Sequence, residues 1–127
     1  MRLFLGLLVA TLAIMIEVTA GLYVVGYKEI EILIIILIPG TIFVFLSLLL
    51  VGLPVHFVLY AKDKTSLSDY VITGTLVGDL FLFVLTAPQN PSQFFEAPFS
   101  YFLYFSVYGF TAAVVFWPIA VRPEVAK

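Results

Sequence analysis

ILIIILIPGTIFVFLSLLLVGLPVHFVLY, residues 32–60, runs from Ile32 to Tyr60 without an Asp, Glu, Lys or Arg. A helix needs about 20 mostly apolar residues to cross the hydrocarbon core of a bilayer. This stretch therefore reads as one membrane span with residues to spare. The excess predicts a tilt, a kink near Pro39 or Pro54, or an extension beyond the hydrocarbon. On either side the pattern stops abruptly, at YKEIE (27–31) before it and at AKDKTSLS (61–68) after it. Beyond those breaks lie three more apolar segments, at about 3–26, 69–87 and 99–121. The last two are separated by PQNPSQFFEAP (88–98), whose three prolines no regular helix holds so close together.

Composition agrees with four spans. The chain of 127 residues is 63% hydrophobic and 11% charged, where a soluble domain is about 45–50% apolar and about 25% charged. One domain over residues 1–127 accounts for everything, and no separate soluble domain fits. The expected fold is an all-α integral membrane four-helix bundle. Cysteine is absent, which excludes disulfides, thiolate nucleophiles and Cys-based metal sites. A net charge of -2 gives no reason to expect nucleic acid as a partner.

Lys and Arg favour the cytoplasmic side of a membrane. With both termini inside, Arg2, Lys62, Lys64, Arg122 and Lys127 are cytoplasmic and only Lys28 is outside. The expected topology is N-in, C-in, in the cytoplasmic (inner) membrane of a bacterium. Arg2, the first apolar run and V-T-A at 18–20 share features with a secretory signal and its cleavage site. Glu17 beside that site and the continuing GLYVVG (21–26) favour an uncleaved span.

Ionisable residues within spans are rare and costly, on the order of 3 kcal/mol for Asp on insertion scales, and are functional candidates by default. Three stand out. Glu17 lies roughly 21 Å from the inner end of its span at about 1.5 Å per residue. It shares a helix face with the small residues Gly6, Ala10, Ala13 and Gly21, a strip that lets another helix approach closely. Asp79 follows the G-x-x-x-G of Gly74 and Gly78 near mid-depth, a packing signal of modest specificity. His56, the only histidine, lies near the inner end of the second span. If their helices face one another, His56, Asp79 and Glu17 form a polar ladder across the membrane. The plainer alternative is that neutral acids bond Thr41, Ser47, Thr73, Ser106 or Tyr108 and only clamp the bundle. At Glu17 the absence of a basic residue at its depth favours a proton-bearing role.

The fourth span opens FFEAPFSYFLYFSVYGF (94–110), an aromatic belt of the kind that settles at headgroup level. Gln93, Phe94, Phe95 and Glu96 stand just outside it as candidate partner contacts. Glu29 and Glu31 make the same side acidic. No H-E-x-x-H, G-x-S-x-G, P-loop or His–carboxylate metal cluster occurs, so no enzyme, cofactor or metal centre is expected.

GLP at 52–54, Tyr70 followed by the glycines at 74 and 78, and FWPIAVRP at 116–123 resemble a broad set of small bacterial four-span inner-membrane proteins, mostly of unassigned function. The resemblance covers the second to fourth spans and implies location and fold. The I-E-V around Glu17 is faintly similar to the A-E-V of small multidrug resistance transporters, whose downstream Gly-Thr, Lys and third-span aromatic patterns are missing here. Fluoride channels are of similar length, but their Gly-Asn pore motif and Phe-Ser track are also missing. The expected function is non-enzymatic binding of another membrane protein, as an immunity-type protein or an accessory subunit. The competing expectation is a homo-oligomeric, proton-coupled transporter or channel subunit using Glu17 and Asp79. A holin-like pore former is a third, weaker expectation.

Overall fold

A computed structural model describes residues 1–86 and 99–125 of the chain. Among them the protein is 90% helix and contains no strand. Helix α1 is Arg2–Val25. Helix α2, Ile30–Ser47, continues through a π-helical turn, Leu48–Gly52, into α3, Leu53–Ala61, to make one rod. Helix α4 is Leu67–Thr86 and α5 is Phe99–Phe116. A second π-helical turn, Trp117–Val121, leads into the short α6, Arg122–Val125.

Local chemistry sets each boundary. Gly26 ends α1 in the left-handed region (φ 114°), with its N–H on Leu22 O and the Tyr27 N–H reaching back to Leu22 O at 3.0 Å. This is the Schellman arrangement, which satisfies carbonyls that a helix end leaves open. Asp63 (φ 55°) plays the same part after α3, with Lys64 N–H on Leu59 O at 2.9 Å. Three residues later Ser66 and Asp69 form a capping box at the start of α4. Asp69 N–H donates to Ser66 Oγ at 3.2 Å, and Ser66 Oγ donates to Asp69 Oδ2 at 2.6 Å.

The two π-helical turns have one cause. Proline lacks an N–H and its ring clashes with the carbonyl four residues earlier. For Pro54 that carbonyl belongs to Leu50, and for Pro123 to Ile119. Both lie in the middle of a π-helical turn, where the wider winding makes room. Pro39, by contrast, is carried inside α2 without interrupting it. The long second segment thus adjusts at Pro54, not at Pro39.

Three helical stretches among the described residues, Arg2–Val25, Ile30–Ala61 and Phe102–Val121, are long and apolar enough to cross a membrane. Segments expected at 3–26, 32–60, 69–87 and 99–121 correspond to α1, the α2–α3 rod, α4 and the α5 helix with its π-helical turn. Residue 87 and the break at 88–98 lie outside the described residues.

Helix α5 is the organising element. It packs against α4 on one side and α1 on the other, and α1 in turn holds α2. The core gathers at the end of the bundle where α1 begins and α3 ends. It is made of Leu7, Leu59, Tyr70, Phe116, Ala120 and Val121. Many other apolar side chains face outward: Ile35 is 71% exposed, and α2 buries none of its residues. Exposed apolar surface on that scale marks a membrane or a protein partner as its surroundings.

Candidate functional site

Seven hydroxyl side chains in the helices show what Glu17 and Asp79 have recruited. Thr11, Thr19, Thr41, Ser47 and Thr75 donate to the carbonyl four residues earlier on their own helix, at 2.7–2.8 Å. That is the usual resort of a hydroxyl with no other partner in a helix. Ser106 and Thr111 do otherwise. Ser106 Oγ donates to Asp79 Oδ1 at 2.6 Å, joining α5 to α4, and Thr111 Oγ1 donates to Glu17 Oε1 at 2.5 Å, joining α5 to α1.

A third latch involves the histidine. His56 Nδ1 and the Tyr70 hydroxyl are 2.7 Å apart and buried, joining α3 to α4. Phe116 packs edge-on against the His56 ring, with centroids 5.4 Å apart, and stacks on Tyr70 at 6.4 Å. The latch therefore forms part of the core.

The condition for a polar ladder, that the three helices present these residues to one another, is not seen in the hydrogen bonds. Glu17, Asp79 and His56 are held at three different helix pairs, each by its own hydroxyl. Ser106 and Thr111 are five positions apart on α5, so at 3.6 residues per turn they point to different faces. Asp79 and Glu17 consequently sit on opposite flanks of α5. One oxygen is left over. Glu17 Oε2 is buried and has no hydrogen-bond partner among the described residues.

Helix packing follows the small residues only in part. Gly6 faces Phe116 and Ala120, where an added Cβ would come within 2.9 Å of the Phe116 ring. Ala10 is buried and Ala13 half-buried. At Gly21 a Cβ would meet nothing within 4 Å, so among the described residues the strip expected along α1 has close neighbours in its N-terminal half and none at Gly21. On α4, Gly74 lies against Gly109 O, which an added Cβ would approach to 2.7 Å, and Gly78 lies against Phe105 O. Gly109 is the third member of this contact, against Gly74 O. Sequence reading named the two glycines of α4 and missed Gly109, Thr111 and the pairing of Tyr70 with His56. Gln93, Phe94, Phe95 and Glu96 lie outside the described residues.

Between the rod and the α4–α5 pair is a cavity of about 190 Å³, reached from the side. Two contacts bridge the rod to α4 across it, Phe43 against Phe81 (centroids 6.1 Å apart) and His56 with Tyr70. Its other walls are mostly apolar, with Val51, Gly52, Val77 and Ala112 along its length and Ser47 and Tyr108 as further polar residues. Among the described residues no group of three or more His, Cys, Asp or Glu is placed to hold a metal ion. No protein-family model, curated protein or solved structure matches the chain.

Proposed function

We propose that this chain is a four-span protein of the bacterial cytoplasmic membrane, with both termini cytoplasmic, that binds another membrane protein as an immunity-type protein or an accessory subunit. One observation carries the reading: each intramembrane ionisable group is engaged by a hydroxyl on a neighbouring helix, at three separate places. A conduction path requires polar groups in sequence along one route. Three isolated clamps hold helices together instead. The partner surface is argued from α2. Its residues Ile35, Ile38 and Ile42, at spacings of three and four, lie on one face and are 71%, 61% and 58% exposed.

The reading is tested by placing a photo-crosslinking amino acid at Ile35, Ile38 or Ile42 in living cells, with Phe4 on α1 as the control position. The expected result is one membrane-protein adduct of the same mass from all three α2 positions and none from Phe4. Equal, diffuse labelling at all four positions would mean that α2 faces lipid alone.

A second reading rests on Glu17 Oε2, the buried oxygen with no partner among the described residues. In an oligomeric, proton-coupled transporter or channel subunit, Glu17 takes up and releases the proton and Asp79 serves a second site. A buried carboxyl oxygen without a hydrogen-bond partner is costly.

A further inference from the structure

Four helical walls enclose the cavity, and their order leaves one side open. Helix α5 packs on α4 and on α1, and α1 holds the rod, whereas the backbones of the rod and α4 stay apart. Those two meet through side chains, at Phe43 with Phe81 and at His56 with Tyr70. The space between these bridges is a slot, with Val51 and Gly52 on the rod, Gly74 and Val77 on α4, and Ala10 and Ala112 on the wall opposite the gap. Each wall contributes a glycine or an alanine, and the room comes from these small residues.

The dimensions suit one hydrocarbon chain. From Tyr70 to Phe81, α4 rises by roughly 16 Å at about 1.5 Å per residue. That is about half of the ~30 Å hydrocarbon core. A volume of about 190 Å³ exceeds the ~150 Å³ of an apolar cavity that takes up benzene. It is far too small for a helix, which is about 10–12 Å across with its side chains.

Chain chemistry also suits the lining better than a polar guest does. Of the polar lining residues, Ser47 donates to Phe43 O, and His56 and Tyr70 are engaged with each other. Tyr108 stands apart from them on α5, with its ring stacked on Tyr104. The slot therefore offers a guest shape and apolar contact. In a bilayer the surrounding solvent is itself hydrocarbon. A chain that enters sheds no water, and it restores the dispersion contacts that the lining of an empty void forfeits.

We infer that the slot takes up one acyl chain of a bilayer phospholipid, threaded sideways through the gap between the rod and α4, with the head group left at the membrane surface. The inference rests on the membrane location proposed above and not on any protein partner.

The test uses the purified full chain in phosphatidylcholine nanodiscs doped with a phosphatidylcholine that carries a diazirine in mid-chain. After illumination, adducts are located by peptide mass spectrometry. Ala112 reports the slot, while Leu50 and Leu76, 71% and 63% exposed, report lipid at the outer surface. All three are expected to be labelled in the wild type. Phosphatidylglycerol with the same chain is expected to label Ala112 equally, because the head group stays outside. Val77→Phe from α4 and, independently, Val51→Phe from the rod narrow the slot. Each is expected to lower labelling of Ala112 at least fivefold and to leave Leu50, Leu76 and helix content unchanged. If one variant fails to fold, the other decides. Unlabelled Ala112 beside labelled Leu50 and Leu76 overturns the proposal, and so does unchanged labelling of Ala112 in a folded variant or labelling that depends on the head group. Absence of label from all three positions would overturn the membrane location together with the proposal.

Discussion

Gly109→Leu is expected to cost 3 kcal/mol or more and to leave little folded protein in detergent, while Gly21→Leu stays within about 0.5 kcal/mol of the parent. The contrast comes from what each new side chain would meet. At Gly109 the first added atom collides with the Gly74 carbonyl group, and Thr75 Cα lies just beyond it. Backbone cannot rotate away as a flexible side chain can. Helices α4 and α5 would have to separate, and the Ser106–Asp79 bond would be lost with them. At Gly21 there is open space within 4 Å. Unfolding in mixed micelles followed by circular dichroism measures both, and equal stabilities for the two variants would remove the close α4–α5 crossing from the account.

Tyr70→Ala is expected to be the second most damaging single change, at about 2–4 kcal/mol, with Tyr70→Phe costing about 1 kcal/mol. Tyr70 is 5% exposed, stacks on Phe116 and meets His56. Truncation of a large buried ring in a soluble core costs about 3–5 kcal/mol, part of it the return of apolar surface to water. In a bilayer that part falls away, because lipid is as apolar as the core, and lost packing remains. The Phe variant removes only the hydroxyl, and an interhelical hydrogen bond in a membrane averages about 0.6 kcal/mol, with a maximum near 1.7. The same unfolding assay separates ring from hydroxyl. A Phe variant as unstable as the Ala variant would mean that the His56 bond, not the packing, holds this end together.

Helix positions were legible because their signals are local. The charge-free run at 32–60 and the breaks around it are read without any knowledge of neighbours. Which proline the long segment adjusts at was not legible, because Pro39 and Pro54 carry the same local clash and only Pro54 is accompanied by a π-helical turn. Which helix faces which was not legible, and the reason is the solvent. In water the buried face of a helix is marked by a stripe of apolar residues against a polar remainder. Helix α2 is apolar on every side, so its sequence marks no face. Small residues are the substitute signal: Gly6, Gly74 and Gly78 lie against a neighbouring helix, and a Cβ at Gly21 would meet nothing within 4 Å. Thr111 was missed as the partner of Glu17 because the two are 94 positions apart, and nothing in the local sequence sets Thr111 apart from the hydroxyls that bond their own helix.

The central claim is that Glu17, Asp79 and His56 clamp helices and carry nothing across the membrane. It is tested most directly by reconstituting the protein in liposomes that contain a pH-sensitive dye, imposing a membrane potential, and comparing the wild type with Glu17→Gln. An amide keeps an acceptor for Thr111 and supplies a donor of its own, so both proteins are expected to fold and neither to move protons above the rate of empty liposomes. Proton flux in the wild type that disappears in Glu17→Gln would contradict the account and make Glu17 a carrier site.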